Sequence, residues 1–215
     1  MNLCVLLGGF SAERDVSLAS GLRMAEALRA KGHAVTCVDP AHGALSADRE
    51  RELLAGGVGT RPPSREQLRA LASGETAREG ISPAIVTWPA VRDADVVVLA
   101  LHGGQGEDGR LQALLDMAGI RYTGSGHLAS ALAMDKQLSK ILFRDAGVRT
   151  ADWLMAPAPG SADAAGFAER VVATLGLPVV VKPSKQGSSV ALTVVNRVEQ
   201  LDAAAAEAFG YDDEG

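Results

Sequence analysis

Four short stretches of this 215-residue chain gather charged or hydroxyl side chains, and three of them set these beside glycines, as a backbone does where it comes close to a small ligand. VVVKPSKQGSSVA (179–191) suits an anion: a glycine-serine hairpin presents successive N–H groups, and Lys182 adds a positive charge on the strand before it. ASALAMDKQLSK (129–140) places Lys136 and Lys140 one helical turn apart on one face. LLGGFSAERDVSLASG (6–21) and LHGGQGEDGRLQ (101–112) each follow an apolar run with glycines and carboxylates. Every stretch also has a plainer reading. The hairpin can be a polar turn and the lysines a solvated face. Ser11, Asp15 or Ser17 can cap a helix beside solvated Glu13 and Arg14. Glu107 and Asp108 can complement a helix dipole while His102 is structural. The hairpin lacks G-x-x-x-x-G-K-[ST] and the first stretch lacks G-x-G-x-x-G, which excludes a Walker loop and a Rossmann dinucleotide site there.

The elements that must hold these stretches read clearly in the first half. Residues 3–7 are a continuous apolar run and 95–101 carry one from Val96 onward, as expected of strands covered on both faces, and residues 33–39 form another strand. Leu18, Leu22, Ala25 and Leu28 recur at helical spacing up to Gly32. Leu111, Leu114, Leu115 and Ala118 do the same up to Gly119. Alternating strands and helices predict a parallel, doubly wound sheet, with two glycine-and-charge loops at the carboxyl edge where ligands bind. Residues 40–90 lose this pattern and read as a surface insertion with one or two short helices. After a boundary near Gly124 the pattern changes. A helix over 127–146, a short strand near Trp153, a helix over 167–175 and two antiparallel strands around the hairpin predict a small α+β unit. A final helix runs into an acidic turn.

Composition narrows the class. The chain is 47% apolar and 22% charged with a net charge of −5, which fits a globular protein and offers no basic surface for nucleic acid or membrane. No run approaches the length of a membrane span, and the N-terminus reads as a strand instead of a signal peptide. Cys4 and Cys37 lie in strand-like runs without metal-ligand spacing, as reduced thiols of a cytoplasmic protein do.

In this order, LLGGFSAERDVSLASG, ALHGGQGEDGRLQALLDMAGIRYTGSGHLASALAMDKQLSK and GLPVVVKPSKQGSSV resemble the D-alanine–D-alanine ligases of the ATP-grasp superfamily. The likeness spans nearly the whole chain apart from the insertion and the alanine-rich connectors. It implies an α/β fold, with a substrate-side domain at 1–124 and a central ATP-grasp subdomain at 125–215. It also implies a reaction that uses ATP and Mg2+: phosphorylation of one D-alanine carboxylate, then displacement of phosphate by the amine of a second D-alanine to give the dipeptide of peptidoglycan. Glu13 matches the glutamate that holds the first D-alanine's ammonium, and His102 the histidine near the substrate carboxylates. Lys136 and Lys182 match lysines on the ATP phosphates. Gly187, Ser188 and Ser189 match the lid over the triphosphate, with Ser188 also orienting substrate. A homodimer through the first domain is implied too.

Two departures qualify the resemblance. Ala191 stands where the family continues its lid with glycine, which strains the backbone if φ is positive there. The family also carries a further C-terminal portion with the magnesium ligands, so no metal ligands are expected in these residues, and the 215 residues alone are expected to be inactive. The alternatives are a ligase joining D-alanine to D-lactate or D-serine, and a binding module without turnover.

Overall fold

A computed structural model describes residues 1–57, 80–187 and 190–212, and the chain divides into two compact units, Met1–Ala131 and Leu132–Gly215. In the first unit, β1 (Asn2–Leu6) lies between β2 (Ala34–Asp39) and β4 (Val96–Leu99), parallel to both, with Leu6 paired to Val38 and Leu99. A two-residue strand β3 (Gly43–Ala44) pairs antiparallel with β2 at the edge, giving the order β3-β2-β1-β4. Tyr122 adds a parallel bridge to Val97.

The unbroken apolar run of β1 has a direct cause. Cys4 and Leu6 face one core with Val38, Val97, Leu111 and Leu115. Val5 and Leu7 face another, with Leu18, Leu22 and Ala25 of helix α1 (Arg14–Ala30). A strand buried on both sides has no polar position to spare. The chain leaves β1 toward β2 on one side and reaches β4 on the other. The carboxyl ends of β1 and β4 therefore flank the switch point where open α/β sheets hold ligands.

The region expected to be a surface insertion is more than that. Helix α2 (Ala47–Gly56) carries Glu50, which grips Arg29 of α1 through two bonds of 2.6 and 2.9 Å. Ile85, in a 3-10 turn (Pro83–Thr87), and Val91, in the four-residue α3 (Pro89–Arg92), are fully buried in the core. Helix α4 (Arg110–Met117) closes the unit and buries Leu111 and Leu115.

Burial has a chemical consequence for the two cysteines. Both are free and buried, and desolvation pushes both thiols up to about 12. The native protein should leave a disulfide-exchange reagent unreacted near pH 8, and both thiols should titrate once denaturant is added. Fast reaction of either thiol in the native state would contradict this packing.

The helix expected over 127–146 is two: α5 (His127–Met134) and α6 (Lys136–Asp145). Asp135 interrupts them. Its side chain accepts from Leu138 N at 2.9 Å and caps α6, while Ser139 Oγ donates to Leu132 O at 2.8 Å at the end of α5. An aspartate that can serve either as helix interior or as cap gains more as a cap. The strand expected near Trp153 does not form. The indole instead lies beneath two cations, with Arg144 Cζ 4.4 Å and Lys140 Nζ 5.0 Å from the ring centroid. Helix α7 (Phe167–Leu175) and helix α8 (Leu201–Phe209) cover one face of the antiparallel pair β5 (Val179–Val181) and β6 (Thr193–Val195). Val171, Val195, Leu201 and Ala204 form that core.

Ala191 has φ of +49°, the sole positive φ outside glycine among the described residues. The left-handed region costs an L-residue about 1–2 kcal/mol, and glycine gives back about 0.4–1 kcal/mol in the unfolded chain. Ala191→Gly should therefore stabilise the second unit by about 0.5–1 kcal/mol, measurable as a raised urea midpoint. A lowered midpoint would show that the alanine is not strained.

Candidate active site

In the first unit the two glycine loops meet. α1 begins at Arg14 after an N-cap, Glu13, whose side chain makes no capping bond. The serines expected as caps do other work. Ser17 is fully buried, accepts from Gly8 N at 2.8 Å and donates to Ala100 O at 2.6 Å. Ser11 Oγ donates to His102 O and accepts from Glu13 N at 3.2 Å. Ser20 Oγ lies 3.0 Å from His102 Nε2. One segment thus ties the exit of β1 to the exit of β4 with three hydroxyls.

Glu13 and His102 are brought to one place by this arrangement. Gly103, with φ of +69°, passes so close to the Glu13 carboxylate that a Cβ there would stand 2.7 Å from Oε2. Its N–H donates to Glu107 Oε2 at 2.8 Å, and Asp108 accepts from Arg110 N at 3.1 Å. Those two carboxylates are therefore engaged within the loop. Gly8 answers an internal demand as well, since a Cβ there would lie 2.9 Å from the Asp39 carboxylate.

Arg14 is not the solvated charge that its neighbourhood in the sequence suggests. It is 8% exposed, bonds Gly9 O at 2.6 Å and pairs with Asp39, which is 1% exposed. Asp39 also accepts from Gly9 N, Ala41 N and the ring of His42. Burial alone would raise its carboxyl. The Arg14 guanidinium and the two N–H donors outweigh that and hold it below the usual carboxylate range. No local signal marks this pair, because its partners stand 25 residues apart.

The second unit gathers the lysines. Lys136, Lys140 and Lys182 line a cavity of about 120 Å³ whose remaining wall includes Trp153, Phe167 and Val181. Lys136 Nζ donates to Ser184 O at 3.0 Å and Gln186 O at 2.5 Å, holding the stretch before Gly187. Lys140 Nζ donates to Thr150 Oγ1 and Ala151 O. Lys182 makes no hydrogen bond or ion pair with other described residues. Desolvation and the Lys182 charge hold both Lys136 and Lys140 below the ordinary lysine range. A lysine charge that disfavours the charge of two neighbouring lysines suits an anionic ligand that relieves it. Ser188 and Ser189 lie outside the described residues. Among those described, no group of three or more His, Cys, Asp or Glu residues could hold a metal ion, and no helix is long and apolar enough to cross a membrane.

Comparison with known proteins fits both halves. A family model described as the D-ala D-ala ligase N-terminus matches residues 2–125, and one described as the D-ala D-ala ligase C-terminus matches 142–214. The D-alanine–D-alanine ligase of Halalkalibacterium halodurans is 37% identical over 99% of this chain and 55% of its own length. That of Cupriavidus metallidurans is 40% identical over 97% of this chain and 49% of its own. The solved D-alanine-D-alanine ligase of Coxiella burnetii superposes with a TM-score of 0.71 at 30% identity, covering 99% of this chain and 61% of that one. The chain spans about half the length of the curated relatives it matches.

The α/β units and the lysine-flanked hairpin are those of an ATP-grasp ligase fold. Within that class, the chain belongs to the D-alanine–D-alanine ligase family.

Proposed function

We propose that this chain supplies substrate-side and nucleotide-side residues of an ATP-dependent ligase that joins two D-alanines for peptidoglycan synthesis in the cytoplasm. The observation that carries the substrate side is the convergence of Glu13 and His102, from two separate loops, through Ser11 and Gly103. Glu13 offers a carboxylate to the ammonium of the first D-alanine, and His102 offers a ring nitrogen to its carboxylate. Lys182, with Lys136 and Lys140 beside it, neutralises phosphate oxygens as charge moves from the γ-phosphoryl to ADP. Gly187, Ser188 and Ser189 close over the triphosphate. A D-alanine carboxylate oxygen attacks the γ-phosphorus and ADP leaves. The amine of the second D-alanine then attacks the acyl carbon and loses a proton; the C–N bond forms as the acyl C–O bond breaks, and inorganic phosphate leaves with that oxygen and the electron pair. Mg2+ supplies further charge neutralisation in this chemistry. No group of three or more His, Cys, Asp or Glu that could hold it stands among the described residues. Two copies pair through the first unit.

The test uses the protein encoded by the whole reading frame. ADP release should require D-alanine and ATP together and should yield D-alanyl-D-alanine, with D-lactate and D-serine as competing second substrates. ADP binding by a folded protein with no D-alanine-dependent turnover would leave only a binding module. A depsipeptide or mixed dipeptide as the preferred product would reassign the second substrate.

A further inference from the structure

Ser20 has one hydroxyl proton and three neighbours. Its Oγ stands 2.8 Å from Val16 O, 3.4 Å from Ser17 O and 3.0 Å from His102 Nε2. The two carbonyl oxygens can only accept, whereas an imidazole nitrogen can donate or accept. Two acceptor oxygens 2.8 Å apart need a hydrogen between them, so the hydroxyl proton belongs to the Val16 carbonyl. Ser20 then faces His102 with lone pairs, and the hydrogen of that contact must sit on Nε2.

We infer that Ser20 is a positioning residue for His102: it holds the proton on Nε2 and thereby turns Nδ1 into the nitrogen available to a ligand. Nδ1 has no hydrogen-bond partner among the described residues. The backbone of the same histidine is fixed separately, by Ser11 at its carbonyl. A ring held at Nε2 and a main chain held at O leave one free atom, in a loop whose next residue presses against Glu13. When Nδ1 takes a proton it becomes a donor of fixed direction, suited to a carboxylate oxygen. The last step rests on the D-alanine reading given above. The assignment of the ring proton does not.

The chain has four histidines, so ring nitrogen spectra are readily assigned by comparison with His102→Gln. In the 215-residue protein, neutral His102 should carry its proton on Nε2, with exchange slowed by the Ser20 contact. Ser20→Ala should speed that exchange by about threefold to tenfold, the worth of one ordinary hydrogen bond. Alanine favours the helix, so folding should not suffer. Ser20→Thr, which keeps the hydroxyl, should restore the slow exchange. In the whole-frame enzyme, Ser20→Ala should raise the KM for D-alanine severalfold with nucleotide affinity unchanged. A proton found on Nδ1 in the unsubstituted protein, or ring exchange indifferent to Ser20→Ala, overturns the assignment. The ring measurement needs no D-alanine and decides the Ser20 contact even where the D-alanine reading fails.

Discussion

Replacing Asp39 with alanine should destabilise the first unit by about 3–5 kcal/mol, the range expected when one partner of a buried ion pair is removed and the other charge stays buried. Arg14 would keep its bond to Gly9 O but lose the one carboxylate it pairs with among the described residues. Asp39→Asn keeps two acceptor contacts from the N–H groups of Gly9 and Ala41 and should cost less. The double change Asp39→Leu with Arg14→Met should cost less than Asp39→Ala, since no charge remains to strand. Proton linkage gives a second handle. The folded-state carboxyl of Asp39 is held low, so its stabilisation is present above the unfolded value near pH 4 and is lost as pH falls through the folded value. The gap between unsubstituted protein and Asp39→Asn should therefore be full at pH 7 and shrink at acid pH. Urea unfolding of the first unit at several pH values measures both effects. A loss under 1 kcal/mol for Asp39→Ala, or a gap that widens in acid, is incompatible with the buried pair.

Glu13→Gln should raise the KM of the whole-frame enzyme for the first D-alanine by about tenfold to a hundredfold. That is the equivalent of about 1.5–3 kcal/mol for a charge-assisted hydrogen bond. Glutamine keeps the shape beside Gly103 and the backbone bonds of the loop, so ADP affinity should stay as it is. The combination separates a lost ammonium contact from a collapsed loop. Unchanged D-alanine dependence in Glu13→Gln removes the glutamate from the substrate site. Loss of ADP affinity together with stability shows instead that the residue holds the fold.

Legibility in the sequence followed the range of the interactions. The three parallel strands, α1, α4, α7 and the β5–β6 hairpin were readable because burial on both faces or on one helical stripe leaves a periodic trace within a few residues. Glu13 and His102 stood out because charge beside glycine at a strand end is locally unusual, whereas Lys136, in a helix without a nearby glycine, reads as part of a solvated face until the family resemblance is added. The burial of Arg14 left no local trace because it depends on Asp39, and that of Ile85 none because an aperiodic stretch hides which residues reach the core. The break at Asp135 was signalled only by one aspartate in an otherwise helical run. Trp153 resembled a strand residue, but the two cations that flank it come from a helix earlier in the chain.

Ser17 carries the largest consequence for how the crevice behaves. One hydroxyl completes both an N–H at the end of β1 and a carbonyl after β4, with no water able to replace it at full burial. Pulling the two loops apart would strand a donor and an acceptor, at about 1–3 kcal/mol for each. The first unit is in that sense a socket set at the time of folding. Its ordering entropy is spent before any ligand arrives, so the binding energy of a small amino acid need not be diverted into assembling the place that receives it.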